Sequence, residues 1–486
     1  MTRSPLDIVD SVIGGGVEHL NEAVHRRRLR KLGLLDAMDP PDEDDPTGGW
    51  ARTATNPPRE GNTLEVFIDG HEAFPRMADE MRKATSYVHI AGWHLETDFR
   101  LTRDEEGTAL LPFLTELAER VEVRVLLWAG PPLPAFRPHR SDLQAVRDRL
   151  TRGTRIKCVL DAREYTMHCH HEKVVAIDGR VAFVGGLDLT TLQGDRNDHP
   201  DHPRREGIGW HDGATMLTGP VVSDVAEHFR ARWQEIAREP LPEPEPQQPT
   251  GGRTVQMVRT LPNKTYGFLP RGEFSIMESY VRALRSAERF IYLENQFLWS
   301  TEIANILDAK LHDPPSDDFR VLLVLPVRPT SGKDTTRGQL GGMVQADSGD
   351  HLLATTLRSG AGQDPGVCYV HAKIGIVDDH WFTIGSGNLN EHSLFNDSEV
   401  NVVCHDPDLA RDTRLRLWSE HLEQPVSEID GDPCRVIDEH WVPVAREQLR
   451  RHEQGEPATH RLIALPGISR RSGRLTGPMR GLLVDG

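Results

Sequence analysis

Two histidine–lysine pairs, His171 with Lys173 and His371 with Lys373, stand in the same eight-residue pattern, H-x-K-x4-D, written twice in this chain. The copies close on Asp178 and Asp378, and each is followed by a glycine corner, Gly185-Gly186-Leu187-Asp188 and Gly385-Ser386-Gly387-Asn388. An imidazole can attack phosphorus or hand a proton to a leaving alkoxide, and an ammonium can hold a non-bridging phosphate oxygen. One copy supplies half of such a site. Two copies supply a nucleophile, an acid and a pair of cations, which is chemistry for a phosphodiester. A free imidazole, at a pKa of ~6.5, serves either role near neutral pH.

Strands must position these groups. Side chains alternate along a strand, so each His and its Lys point to one face, and both pairs converge if two halves pack about a pseudo-twofold axis. Asp178 and Asp378 fall on the opposite parity and read as structural turn or ion-pair residues. The repeat extends beyond the motif. Val123-Arg124-Val125-Leu126-Leu127-Trp128 matches Phe319-Arg320-Val321-Leu322-Leu323-Val324, runs suited to strands buried on both faces. Helical and strand patterns alternate twice over, which predicts an α/β fold. The expected architecture is two pseudo-symmetric α/β/α repeats, each a mixed, mostly parallel sheet flanked by helices, with the site at their interface.

Five segments follow from composition. Residues 1–60 form an extension with a basic helical run, His25 to Lys31, and an acidic, proline-rich spacer from Asp39 to Pro46, expected to be disordered. The basic helix packs on the body or lies on an anionic membrane surface. Residues 61–238 are the first half, 239–254 a Pro/Glu/Gly linker, 255–425 the second half and 426–486 a C-terminal tail carrying Arg470, Arg471, Arg474 and Arg480. The net charge of −17 weighs against a protein built to grip nucleic acid, while leaving room for a local cationic pocket. Five cysteines without a C-x-x-C pair read as reduced thiols. No apolar run reaches the ~20 residues of a membrane-spanning helix, and the first residues lack a secretory pattern. The localisation expected is cytoplasmic, with peripheral membrane contact.

Each imidazole needs a partner on its other nitrogen. Asp212 and Glu399 are the candidates, because Trp210-His211-Asp212 and Asp397-Ser398-Glu399 both follow their glycine corner. Asn388 is placed to donate to a phosphate, with Ser386, Asp188, Trp93 and Gln296 as further substrate-binding candidates. His168, His170 and His171 could suggest a metal cluster, but strand alternation sends His168 and His170 to the face opposite His171. His199 and His202 read as loop residues. No metal and no cofactor are expected; the lysines take the cation's role.

With these residues in view, the chain resembles the phospholipase D superfamily, and eukaryotic-type phospholipases D most. The resemblance spans residues 61–425 and rests on His170 to Asp178, Phe183 to Leu189, Trp210-His211-Asp212, Phe229 to Trp233, Ile291 to Phe297, Tyr369 to Lys373 and Ile384 to Asn390. It implies a phosphohistidine on one histidine, with His171 favoured, and proton donation by the other, His371. It also implies a phospholipid substrate met at a membrane surface, hydrolysed to phosphatidate and a free head group, with possible transphosphatidylation. The alternatives are a phosphatidyltransferase of the cardiolipin synthase kind, a nucleic-acid phosphodiesterase and a catalytically silent scaffold. Relatives carry Gln-Arg where this chain has Glu391-His392 before Ser393, which puts phosphate support there in question. Head-group preference is expected to depend on the loop 330–366 and on Trp93 and Trp299. The internal duplication makes a monomer sufficient.

Overall fold

The structure, a computed structural model, describes residues 27, 29–32, 34, 49–102, 109–131, 138–163, 169–190, 209–327, 333–347, 349–363 and 365–468. The acidic spacer 39–46, His25, His168, His199, His202 and the four tail arginines lie outside them.

The two halves repeat element for element. The first runs through strand Arg59–Ile68, helix Asp69–Arg82, strand Tyr87–Gly92, helix Leu110–Ala118, strand Glu122–Trp128, helix Arg140–Thr151 and strand Lys157–Asp161. Strands Val174–Ile177, Val181–Gly185 and Gly213–Thr218 follow, and helix Val221–Ala237 closes it. The second runs through strand Arg253–Leu261, helix Ser275–Ser286, strand Phe290–Asn295, helix Thr301–His312, strand Arg320–Val324, helix Lys333–Ala346 and strand Leu352–Leu357. Strands Lys373–Val377, Trp381–Gly385 and Glu399–His405 and helix Pro407–Leu422 complete it.

All these strands belong to one 16-stranded mixed sheet. Arg253–Leu261 joins the halves, pairing antiparallel with Glu399–His405 of its own half and with Arg59–Ile68 of the other. The balance differs from the mostly parallel sheets expected. Parallel pairing is confined to the three apolar runs at each outer side, such as Tyr87–Gly92 with Glu122–Trp128 and Phe290–Asn295 with Arg320–Val324. The hairpins that follow each motif lysine are antiparallel, because a three-residue turn permits nothing else. Helices Val221–Ala237 and Pro407–Leu422 cover one face of both halves over a shared core that includes Phe229, Trp233 and Trp418. Separate cores lie under the helices of the opposite face.

The turn aspartates are the corners of this frame. Asp178 and Asp378 both sit at φ +54, a left-handed conformation that Asp tolerates better than most residues. The Asp178 carboxylate accepts the backbone N–H groups of Thr85, Ser86 and Tyr87, and Asp378 accepts those of Glu288, Arg289 and Phe290. Each therefore anchors a helix-to-strand junction to the far end of its own hairpin. Burial pushes the Asp178 carboxyl up, but the three N–H groups outweigh it and hold the group below its ordinary value. Such a depressed acid adds stability above an unfolded pKa of ~3.9, and that stability is lost as pH falls through the folded value. Asp178→Ala is therefore expected to cost about 2 kcal/mol at pH 7 and much less in acid, read by urea unfolding at the two pH values.

Two expectations about ordering are corrected. Residues 426–468 do not trail as a tail. They add helix Val442–Gln454, a buried Trp441 packed 5.6 Å from Trp418, and strand Leu462–Ala464 at the sheet edge. The loop 330–366 contains helix Lys333–Ala346 and strand Leu352–Leu357, which pairs parallel with Arg320–Val324. Its Gly, Ser and Asp content concealed a short six-residue strand made buriable by its neighbour. At the N-terminus, Leu29 and Leu34 are buried in the second half's outer core, and Trp50 stacks 4.1 Å from His405.

Candidate active site

The motif strands begin after the histidines, at Val174 in the first half and at Lys373 in the second, so His171 and His371 lie on the segments that lead into Val174–Ile177 and Lys373–Val377. Those segments cross to the opposite half. Val370 pairs with His211, and His170 bridges to Ser398, two equivalent bridges related by the pseudo-twofold. Backbone bonds fix the crossing: His371 N–H donates to His211 O at 2.8 Å and His171 N–H to Ser398 O at 3.0 Å.

The crossing swaps the acids. His171 Nδ1 lies 3.0 and 3.2 Å from the Glu399 carboxylate oxygens, and His371 Nδ1 lies 2.5 Å from Asp212 Oδ2. Each histidine thus takes its acid from the other half. Both histidines, both lysines and both acids are buried. Lys173 Nζ reaches His171 O at 2.7 Å and Asp188 Oδ2 at 3.2 Å. Lys373 Nζ bonds His371 O and reaches Gln296 Oε1 at 3.2 Å, an oxygen that also accepts Asn388 Nδ2 at 3.2 Å. The lysines are therefore unlike: an acid stands beside one, an amide beside the other.

The glycine corners serve the acids. A Cβ at Gly186 would collide with the Asp212 carboxylate. Its equivalent, Ser386, instead donates to Glu399 and accepts Val400 N–H at 3.1 Å. Ser386 is fully buried and supports Glu399, as does Ser393 at 2.6 Å. Trp93 and Gln296 occupy equivalent positions, each one residue beyond a strand that pairs with a motif strand. The Trp93 ring lies 6.4 Å from that of His171, while Trp210 and Tyr369 lie 4.8 and 6.3 Å from His371. Trp299 is buried against His392, 5.7 Å between rings.

Burial dominates the electrostatics. It pushes the Asp212 carboxyl up to about 6 and the Glu399 carboxyl up to about 8, against the opposing pull of the lysines. It holds His371 well below its ordinary value, helped by the positive charges of Lys373, Lys173 and His171. Lys173 and Lys373, each beside its histidine's carbonyl, place two ammonium donors where they can hold an anion.

Sequence reasoning missed two buried networks behind these groups. Behind His171, Arg232 bonds Glu172 and Asp161, and His228 Nε2 lies 2.5 Å from Glu172. His170 points into this network, 2.9 Å from Ser398 Oγ, and burial holds it at about 3. Behind His371, His211 lies between Asp69 and Glu294, with His421 beyond. Among the described residues, His211, Glu294 and His421 have donor atoms close enough to hold a metal ion, as do Asp69, His211 and Glu420. Those of His211, Glu294 and His421 are engaged with one another in hydrogen bonds. The only sequence signal for this group was Glu294 in Glu294-Asn295-Gln296-Phe297 and His211 beside Asp212.

The domain model described as phospholipase D matches residues 80–209, and the model described as cardiolipin synthase, PLD-like domain, matches residues 280–419. Each match encloses one histidine–lysine pair. The chain belongs to the phospholipase D superfamily. Other members are similar along most of its length. Phospholipase D A of Dictyostelium discoideum is 24% identical over 75% of this chain and 36% of its own length. Phospholipase D alpha 3 of Arabidopsis thaliana is 24% identical over 74% and 64%, and phospholipase D2 of Bos taurus 24% over 73% and 50%. The chain thus spans between about a third and two thirds of the length of these superfamily relatives. The crystal structure of phosphatidylserine synthase from Haemophilus influenzae Rd KW20 shares the fold, with a TM-score of 0.51 at 12% identity, covering 80% of this chain and 92% of that one. His392 is buried in the short helix Glu391–Phe395.

Proposed function

We propose that this protein is a phospholipid phosphodiesterase, hydrolysing a glycerophospholipid to phosphatidate and a free head group through a phosphohistidine. The observation that carries the reading is the crossed pair of histidine–acid contacts, His171 with Glu399 and His371 with Asp212, with a lysine beside each histidine. The names of the superfamily relatives support the same substrate class.

His171 Nε2 attacks phosphorus while its Nδ1 proton stays on Glu399's side. The bond from phosphorus to the head-group oxygen breaks, and His371 Nε2 supplies the proton to that oxygen. In the second displacement His371 takes a proton from water, the water oxygen attacks phosphorus, and the phosphorus–nitrogen bond breaks to release phosphatidate. An alcohol in place of water gives head-group exchange. Lys173, Lys373 and Asn388 hold the non-bridging oxygens, worth several kcal/mol when such donors are preorganised and dry. The phosphodiester brings a further negative charge into the site. Its arrival raises the affinity of His371 for the proton that it must donate.

Among the described residues, no helix is long and apolar enough to cross a membrane. The reading therefore has a lipid surface approached from water, by a monomer whose internal repeat supplies both halves of the site. The five cysteines are buried and widely spaced, which fits thiols in a reducing cytoplasm. Purified protein incubated with phosphatidylcholine vesicles and ethanol is expected to form choline, phosphatidate and phosphatidylethanol. If lipid is untouched while a nucleic-acid phosphodiester is cut, the substrate class is wrong. Transfer with no hydrolysis would favour a phosphatidyltransferase.

A further inference from the structure

We infer that Asp69, His211 and Glu294 form a buried charged relay that positions Asp212, and through it His371, for proton transfer. The inference rests on the phosphodiesterase reading and adds three positioning residues to it. Asp69 opens helix Asp69–Arg82 at φ +61, fully buried. It clamps the acid on both sides: Asp69 N–H donates to Asp212 O at 2.8 Å, and Asp212 N–H donates to Asp69 Oδ1 at 2.9 Å. The same Oδ1 lies 3.1 Å from His211 Nδ1, and His211 Nε2 lies 2.7 Å from Glu294 Oε2. Glu294 is held in turn by His421 at 2.8 Å and by the Tyr292 hydroxyl. Finally, His211 O accepts the N–H groups of His371 at 2.8 Å and Ala372 at 3.1 Å.

An imidazole with a carboxylate at each nitrogen donates from both, so His211 is an imidazolium. Buried ions and a left-handed aspartate both cost stability, and such costs persist where geometry is being specified. Here two acids from different halves grip one ring, and the ring's backbone carries the proton donor. The groups facing His211 are Asp69, Glu294, His421, Glu420 and Cys368, with Asp212 next in sequence. Its positive charge favours the ionised form of Asp212, which burial opposes. An ionised Asp212 keeps the His371 Nδ1 proton in place, leaving Nε2 to exchange protons with the leaving oxygen.

Asp69→Asn is the decisive variant. Asn adopts positive φ readily and keeps an oxygen for Asp212 N–H, so only the charge is lost. Its thermal midpoint should stay near wild type while kcat falls by about 10–100-fold and KM holds, by analogy with lost outer partners of active-site histidines. With His211 less charged, Asp212 binds its proton more tightly, and the acid limb of the kcat profile moves to higher pH. Glu294→Gln should reproduce the shift from the other half. Wild-type kcat and an unmoved limb in Asp69→Asn overturn the inference, as does a kcat loss that only follows a loss of stability. Nitrogen NMR of the wild-type His211 ring reads the charge whatever the substrate proves to be: two protonated nitrogens at neutral pH support it, and one overturns it. A stoichiometric metal ion at His211, Glu294 and His421, found by elemental analysis, also overturns it.

Discussion

His171→Ala is expected to lower phosphatidylcholine turnover by at least about 10⁴-fold, on the scale seen when a nucleophile that works as part of a unit is removed. His371→Ala should be comparably damaged on this substrate, but for a different reason, and the two can be separated. A choline oxygen must be protonated as it leaves, whereas an aryl oxygen leaves without a proton. On a nitrophenyl phosphodiester, His371→Ala should therefore release one equivalent of nitrophenol quickly and then stall. Its phosphoryl group remains on His171, because no base activates the water. A general acid is worth about 10²–10⁴ in rate, so the recovery on the aryl ester should be of that size. His171→Ala should show no burst at all. Equal bursts in both variants, or full turnover in His171→Ala, would assign the nucleophile elsewhere.

Glu399→Gln carries the second large effect, and it separates activity from stability. The carboxyl can give up its proton and accept from His171 Nδ1. The amide always keeps a donor that can turn to Nδ1 and move the ring proton to Nε2, the atom that must attack. A loss of about 10⁴ in kcat follows, as for other misdirected histidine tautomers. Stability should move the other way. Burial raises Glu399 to about 8, far above an unfolded value of ~4.3, so the folded state holds a proton that the unfolded chain has released. Glu399 is thus no burden below pH ~4, and stability is lost progressively as pH rises toward the folded value. The neutral amide escapes that loss. Glu399→Gln should be more stable than wild type by about 2 kcal/mol at pH 8 and unchanged at pH 4, less whatever hydrogen bonding to Ser386 and Ser393 is weakened. A variant equally destabilised at both pH values would place an ordinary carboxylate at this position.

Together these expectations describe a site in which each half acts on the other's histidine. A fragment holding one histidine–lysine pair would lack its own acid. The halves also share the sheet through Arg253–Leu261 and one core face, so the second half brings more than a docked surface. This is why the loss of one half's corner should be felt at the other half's histidine.

Much of this was open to reading from the chain itself. The doubled His–Lys spacing, the glycine corners and the apolar runs are local patterns, and local patterns report strands, turns and residue chemistry. Asp178 and Asp378 could be assigned to turns because side-chain parity is a property of the strand alone. Asp212 and Glu399 could be nominated as acids from their place after each corner. Their partners could not. Glu399 meets His171 across 228 positions and Asp212 meets His371 across 159, through backbone bridges between opposite halves. Only the folded sheet decides such a crossing, because bridge register depends on how two distant segments are brought together. The same holds for Ser386, whose hydroxyl turns inward to Glu399, and for Asp69, whose left-handed backbone aims a carboxylate at His211. The sequence by itself determined which groups are the candidates for the chemistry; tertiary structure decided which acid meets which histidine, since a hydrogen bond depends on distance in space and not along the chain.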